Sequence, residues 1–323
     1  MIQTDTLTRR YGNLTAVNAL NLHVRPGEVY VLLGPNGAGK TTTLLMLLGI
    51  LPPSSGSIRL FGLSPVPGNY YAIKRRVGVV GEKQHFYDDM TVRQYLRFFA
   101  DLYAVEKADE RIHSLMEAVG LSDCPDVRPR GGSPGMKQKL AFVRALLPDP
   151  DLLILDEPTS GLDLSGICQV RQLVQAQSQA GKTVLISSHI LSAVERTAHR
   201  VGIVHRGRLL SENTSAGLHA RLAGAQQIDL ELADPCPDLP QDLARLPFVR
   251  AVEGPTGENA RRFTVHLTGD TDMRAQLSRA VTVQGGVIVA MQPKEIRQAD
   301  TRVTITEGDI PRLVGQTKAR AAA

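Results

Sequence analysis

Short, strongly apolar runs punctuate the first two thirds of the chain, at Glu28–Leu33, Val77–Val80, Leu152–Leu155, Thr183–Ser187 and Val201–Val204. Runs of this length without polar alternation predict strands buried on both faces. Helix-like stretches separate them, so the pattern predicts a largely parallel sheet covered by helices. The longest helical stretch spans residues 90–119. There Val92, Tyr95, Leu96, Phe99 and Tyr103 share one face, and Arg93, Arg97 and Asp101 lie off it.

Near residues 216–225 the character changes. Beyond it the pattern predicts a strand at Ile228–Leu232, a helix at Gln241–Leu246 and strands at Phe248–Glu253 and Arg262–Leu267, then a helix at Thr271–Ala280 and a strand at Gly286–Met291. The turn Gly254-Pro255-Thr256-Gly257 separates the middle strands. This β-α-β-β-α-β order predicts a small ferredoxin-like α+β domain. The organisation expected is therefore a first domain over 1–222, an accessory domain over 226–295 and a frayed tail over 298–323.

At 323 residues, 42% hydrophobic and 21% charged, the composition is that of a globular chain. No apolar run reaches the roughly 18 residues of a membrane helix; the longest, Leu44–Leu51, stops at Pro52-Pro53. No export signal is expected at the N-terminus, where Asp5, Arg9 and Arg10 interrupt any apolar stretch. The cysteines Cys124, Cys168 and Cys236 are scattered and lack metal-ligand spacing, which predicts reduced thiols in the cytoplasm. The net charge is +5, and residues 221–323 hold 13 charges of each sign, so the whole surplus lies in 1–220. The longest basic run is Lys74-Arg75-Arg76, too short to suggest a nucleic-acid partner, and a polyanionic ligand accounts for the surplus better.

The ligand chemistry follows from Gly34-Pro35-Asn36-Gly37-Ala38-Gly39-Lys40-Thr41, which fits G-x-x-x-x-G-K-[ST] directly after a buried strand and before a helical run from Thr42. Glycines let backbone N–H groups wrap a β-phosphate, and the helix N-terminus adds its positive end. Lys40 would bridge β- and γ-phosphates, and Thr41 would ligate Mg²⁺. Downstream, the buried run Leu152–Leu155 ends in Asp156-Glu157. Asp156 is placed to hold Mg²⁺, and Glu157 to polarise a water for attack on the γ-phosphate.

Three further pieces follow in register: Ser160-Gly161-Leu162-Asp163, then Ser187-Ser188-His189, and, upstream of the acids, Ser133-Pro134-Gly135-Met136-Lys137-Gln138. In this order and spacing the set resembles the ATP-binding cassette (ABC) ATPases over roughly residues 3–222. The resemblance implies a P-loop α/β fold with a helical subdomain near 84–145, with ATP and Mg²⁺ as ligands. Tyr11 is similar to the aromatic that stacks on adenine, and His189 to the switch histidine that contacts the γ-phosphate. Asp163 resembles the loop residue that crosses to a partner ATPase domain. Ser133 and Gly135 resemble the signature motif that closes over ATP held by a second subunit.

Two departures from the family pattern stand out, one in the signature segment and one in the loop after Val77–Val80. Gly132 stands where a bulky residue usually precedes the signature serine, and Pro134 fills the next variable slot. Glu82 stands where a glutamine usually ligates Mg²⁺, with Gln84 two residues later; a carboxylate also serves as such a ligand. Six of fourteen aromatics cluster at Phe86, Tyr87, Tyr95, Phe98, Phe99 and Tyr103. Tyr95, Phe99 and Tyr103 follow the apolar stripe and are expected to pack inward; Phe86, Tyr87 and Phe98 are the interface candidates. The C-terminal element order is similar to the accessory domain of the branch serving exporters of drugs, lipids and polysaccharides. The reading is an ATP-hydrolysing subunit, peripheral on the inner face of the cell membrane. It would be paired with a second ATPase subunit and with separate polytopic permease subunits, and no nucleic-acid partner is expected. The alternative is a soluble ABC-type ATPase acting on nucleic acid or ribosomes.

Overall fold

A computed structural model of the chain describes residues 1–87, 89–190, 197–214, 227–254, 261–267 and 273–293, together with Ile310 and Val314. It divides into two compact units, Met1–Ser215 with Arg302–Ala323, and Ala216–Thr301.

The first unit contains two sheets. The larger is built on β3 (Val29–Leu33), β5 (Val77–Val80), β6 (Leu152–Asp156), β7 (Thr183–Ser188), β8 (Arg200–His205) and β9 (Arg208–Thr214), in the order β5-β6-β7-β3-β8-β9. All its neighbours run parallel except the β8–β9 hairpin. Every residue of β3 and β7 is buried, which is what helices on both faces of a parallel sheet require. The smaller sheet is antiparallel, β1 (Ile2–Tyr11) between β2 (Leu14–Val24) and β4 (Ser55–Leu60). The hydrophobic pattern does not announce it. Register shifts interrupt β1 at Thr4/Leu7, Leu7/Arg9 and Arg9/Arg10, and Thr6 adopts φ 45°, so the period of two never runs long enough to read.

The helices are α1 (Lys40–Leu47), α2 (Tyr70–Lys74), α3 (Val92–Leu102), α4 (Ala108–Ala118), α5 (Pro134–Leu146) and α6 (Leu164–Gln179). The stretch expected as one helix over 90–119 is two, α3 and α4. Ala104 and Lys107 between them take left-handed φ values of 52° and 50°, which no helix continues through. α3 begins with a capping box: the Thr91 side chain accepts from Gln94 N, and Gln94 Oε1 accepts from Thr91 N. Tyr95 is 1% exposed, as its stripe position predicts, and burial pushes its phenol above the ordinary value. Tyr103, also on that stripe, is 38% exposed, because it caps the last turn where the helix outruns the core. Phe86 is half-buried, edge-on to Tyr95 with ring centroids 5.3 Å apart, whereas Tyr87 and Phe98 are exposed.

The second unit has β10 (Gln227–Leu232), α7 (Leu239–Ala244), β11 (Val249–Glu253), β12 (Arg262–Leu267), α8 (Arg274–Val283) and β13 (Ile288–Pro293). Its sheet order is β11-β12-β10-β13 with every pair antiparallel, the arrangement a β-α-β-β-α-β chain forms when both helices cover one face. Ile228, Leu230, Phe263, Val265, Leu239 and Leu277 fill its core. The chain segment at 216–225 and most of the turn after Gly254 lie outside the described residues, as does the tail apart from Ile310 and Val314, both buried.

Candidate functional site

The order of the parallel sheet creates the site. β7 lies between β6 and β3, so the carboxyl ends of all three adjoin, where ligands of open α/β sheets bind. Register completes the placement: Asp156 pairs with Ser187, and Leu33 with Ser188. The loop Gly34–Gly39 leaves β3, Asp156 and Glu157 leave β6, and His189 leaves β7, so three distant segments share one edge.

The loop between β3 and α1 keeps its shape through backbone bonds. Gly34 N donates to Ser188 O at 3.1 Å, Ala38 N to Pro35 O at 3.2 Å, and Gly207 N to Ala38 O at 2.9 Å. Gly39 caps α1 with φ 98°, and a Cβ there would stand 2.4 Å from Ala16 O. Asn36 and Gly37 are exposed at the loop tip, Gly34, Pro35 and Ala38 are buried, and Thr42 is half-buried on α1. Lys40 is 5% exposed; its ammonium donates to Gly34 O at 2.7 Å and Pro35 O at 3.1 Å and pairs with Glu157 Oε1 at 3.2 Å.

The acids form one network with β7. The Thr41 hydroxyl donates to Asp156 Oδ1 at 3.2 Å. The Ser187 hydroxyl donates to the same oxygen and accepts from Glu157 N at 3.0 Å. Glu157, 8% exposed, takes φ 46°, a conformation disfavoured for residues with a Cβ. From there its Oε2 reaches His189, with Nδ1 at 2.8 Å and the backbone N–H donating at 3.4 Å. Its Oε1 faces the Lys40 ammonium and accepts no hydrogen bond among the described residues. A carboxylate oxygen with a free lone pair, held beside an ammonium and an imidazole, can take the proton of a water.

Of the other expected residues, Tyr11 ends β1 and is 45% exposed, with the Arg9 guanidinium 4.7 Å above its ring centroid. Ser133 caps α5, accepting from Met136 N at 3.2 Å, with Pro134 as the first helical residue, where its fixed φ suits the helix. Asp163 caps α6, accepting from Gly166 N at 2.8 Å. No hydrogen bond or ion pair among the described residues joins Ser133, Gly135 or Asp163 to the Lys40–Glu157 cluster. α5 does reach the acid loop through Gln138, whose amide donates to Pro158 O at 2.8 Å; Gln138 carries no chemistry that marks it in sequence.

Glu82 is exposed just past β5, whose Val80 pairs with Leu155, so it belongs to the same sheet end as Asp156. No bond joins it to Thr41 or Asp156, and among the described residues no three His, Cys, Asp or Glu side chains converge. The donors that do converge, the Thr41 hydroxyl and the Asp156 carboxylate, are hard oxygens. Mg²⁺ usually takes one or two protein oxygens and completes its shell with substrate phosphates and water, so this pair fits it.

A family model for ABC transporters matches residues 17–160. The Nod factor export ATP-binding protein I of Paraburkholderia xenovorans (strain LB400) is 40% identical over 236 residues, 72% of this chain and 77% of the relative. The chain belongs to the ABC transporter family. The bacitracin transport ATP-binding protein BcrA of Bacillus licheniformis is 41% identical over 235 residues, covering 72% of this chain and 76% of the relative. The solved structure of an ATP-binding subunit of an ABC transporter aligns with a TM-score of 0.63 at 29% identity, over 69% of this chain and 93% of that one. This ABC protein is thus an ATP-binding subunit and an ATPase, and the soluble nucleic-acid or ribosome alternative is set aside. None of its described helices is long and apolar enough to cross a membrane.

Proposed function

We propose that this ABC ATPase hydrolyses ATP to energise export of a substrate through separate polytopic permease subunits, from the cytoplasmic face of the membrane. The observation that carries the reading is the convergence of Lys40, Thr41, Asp156, Glu157 and His189 at the ends of three adjacent strands. In the loop Gly34, Pro35, Asn36, Gly37, Ala38 and Gly39, the backbone N–H groups of Asn36, Gly37 and Gly39 are the ones offered to phosphate, since Pro35 has none and those of Gly34 and Ala38 already donate within the fold; the start of α1 at Lys40, Thr41 and Thr42 adds its positive dipole end. Phosphate oxygens compete with Glu157 and the two loop carbonyls for the Lys40 ammonium. Thr41 and Asp156 would hold Mg²⁺, with Glu82 or Gln84 approaching from β5; the ion, when bound, neutralises charge on the transferring phosphoryl group. Glu157 takes the proton of the attacking water, and His189 orients that carboxylate and meets the γ-phosphate. Tyr11 stacks on the adenine.

Ser133, Gly135 and Asp163 stand apart from this cluster, which supports a head-to-tail arrangement in which they complete the site of a second ATPase subunit. The exposed Tyr87 and Phe98 are the candidate contacts for a permease. The exporting direction is supported by the relative named for Nod factor export. The test is a pull-down of tagged Glu157→Gln protein from detergent-solubilised membranes with ATP and Mg²⁺. A stoichiometric polytopic membrane protein is expected to co-purify; recovery with ribosomes or nucleic acid alone would overturn the reading.

A further inference from the structure

Ser187 is wholly buried, the next-to-last residue of β7, and its hydroxyl meets both Asp156 and the backbone of Glu157 at once. A hydroxyl has one proton to give and two lone pairs to offer. Ser187 spends the proton on Asp156 Oδ1 and a lone pair on Glu157 N, at 3.0 Å. Two consequences follow from that geometry. Asp156 Oδ1 already receives the Thr41 hydroxyl at 3.2 Å, so with Ser187 it is held by two donors, which restrain the carboxylate. The backbone of Glu157, at φ 46°, is tied to β7 by the same hydroxyl and by the Ser187 carbonyl at 3.2 Å, which is how its side chain is aimed at Lys40 and His189.

We infer that Ser187 is the positioning residue of this ATPase site, one hydroxyl that orients the Asp156 carboxylate for the metal and the Glu157 backbone for water activation. The inference rests on the proposed roles of Asp156 and Glu157. Partners of ligating carboxylates fix the orientation that the metal selects, and losing one typically costs about 10–100-fold in metal affinity or activity.

Ser188 supplies an internal control. It is equally buried on the same strand, yet its hydroxyl donates to Ile190 O and accepts from Ile190 N, both at 3.0 Å, and faces neither acid. Ser187→Ala removes only the hydroxyl; Asp156 keeps Thr41 and Glu157 N keeps the Ser187 carbonyl, so the strand is expected to fold.

The experiment measures equilibrium binding of a fluorescent ATP analogue to the full chain, with Mg²⁺ and with EDTA, for the parent, Ser187→Ala, Ser188→Ala and Asp156→Asn. Steady-state hydrolysis is measured alongside. Ser187→Ala is expected to lose about tenfold or more of the Mg²⁺-dependent gain in affinity while its affinity in EDTA stays at the parent value, and kcat is expected to fall by more than KM rises. Ser188→Ala keeps the gain. A Ser187→Ala protein that retains the full Mg²⁺ gain, or that loses affinity equally with and without Mg²⁺, overturns the inference, as does an equal loss in Ser188→Ala. Asp156→Asn separates this from the underlying reading: if it too keeps the Mg²⁺ gain, the assignment of Asp156 fails first.

Discussion

Glu157 invites two substitutions that the structure separates sharply. Its carboxylate and the Lys40 ammonium are 8% and 5% exposed and 3.2 Å apart, so removing the acid leaves a buried cation short of its one ion-pair partner among the described residues. Deleting one member of a buried pair costs about 3–5 kcal/mol. Here Lys40 retains the carbonyls of Gly34 and Pro35 at 2.7 and 3.1 Å, which places Glu157→Ala near the low end, about 3 kcal/mol. Glu157→Gln keeps the volume and an amide oxygen facing Lys40; it loses the charge assistance, about 1–2 kcal/mol, and the weak 3.4 Å acceptor for His189 N. Against a domain stability of roughly 5–15 kcal/mol both variants fold. Their chemistry is the same: neither can take a proton from water, so hydrolysis falls about 10²–10⁴-fold in each. ATP binding by Glu157→Gln should match or exceed the parent, because phosphate then competes with a neutral amide for Lys40. The chain has no tryptophan, so urea unfolding is followed by circular dichroism at 222 nm, with phosphate release for turnover. Equal destabilisation by Gln and Ala would show that the amide oxygen retains nothing of the interaction with Lys40, which refutes the separation drawn here. Parent-level turnover by Glu157→Gln would remove Glu157 from the chemistry.

Gly39→Ala must place a Cβ 2.4 Å from Ala16 O at φ 98°, and is expected to cost roughly 2–5 kcal/mol in strain and overpacking, read as a lowered melting temperature with loss of nucleotide binding. His189→Ala removes the imidazole 2.8 Å from Glu157 Oε2, and should lower turnover about 10²-fold or more while nucleotide binding persists, as phosphate release and analogue titration would show. On β3, Tyr30 is wholly buried and donates to Glu212 Oε1, which Arg200 also contacts at 2.8 Å. Tyr30→Phe should cost about 1.5–3 kcal/mol in urea unfolding. A Cβ on Gly202 would stand 2.2 Å from the Tyr30 hydroxyl, so Gly202→Ala should be less destabilising in the Tyr30→Phe background than alone; strictly additive costs would refute that contact.

Much of this protein is legible one residue at a time. Strands buried on both faces must be continuously apolar, so β3, β5, β6, β7 and β8 stand out, and a glycine-rich turn ending in Lys40-Thr41 has few uses other than phosphate. The helix start at Ser133-Pro134 is likewise a local matter of an N-cap oxygen and a preset φ. The β1–β2–β4 sheet escaped because its bulges break the period that pattern reading depends on, and the break between α3 and α4 because left-handed Ala104 and Lys107 carry no glycine to announce it. Tertiary structure alone decided the rest, since it turns on which strands are neighbours and in what register. β7 falling between β6 and β3 is what brings Lys40 to Glu157 and Glu157 to His189, and the pairing of Asp156 with Ser187 makes an ordinary strand serine the shared anchor of both acids. A hydroxyl's sequence neighbours say nothing of the carboxylate one strand away, because a hydrogen bond needs about 3 Å of space between partners and no particular distance along the chain.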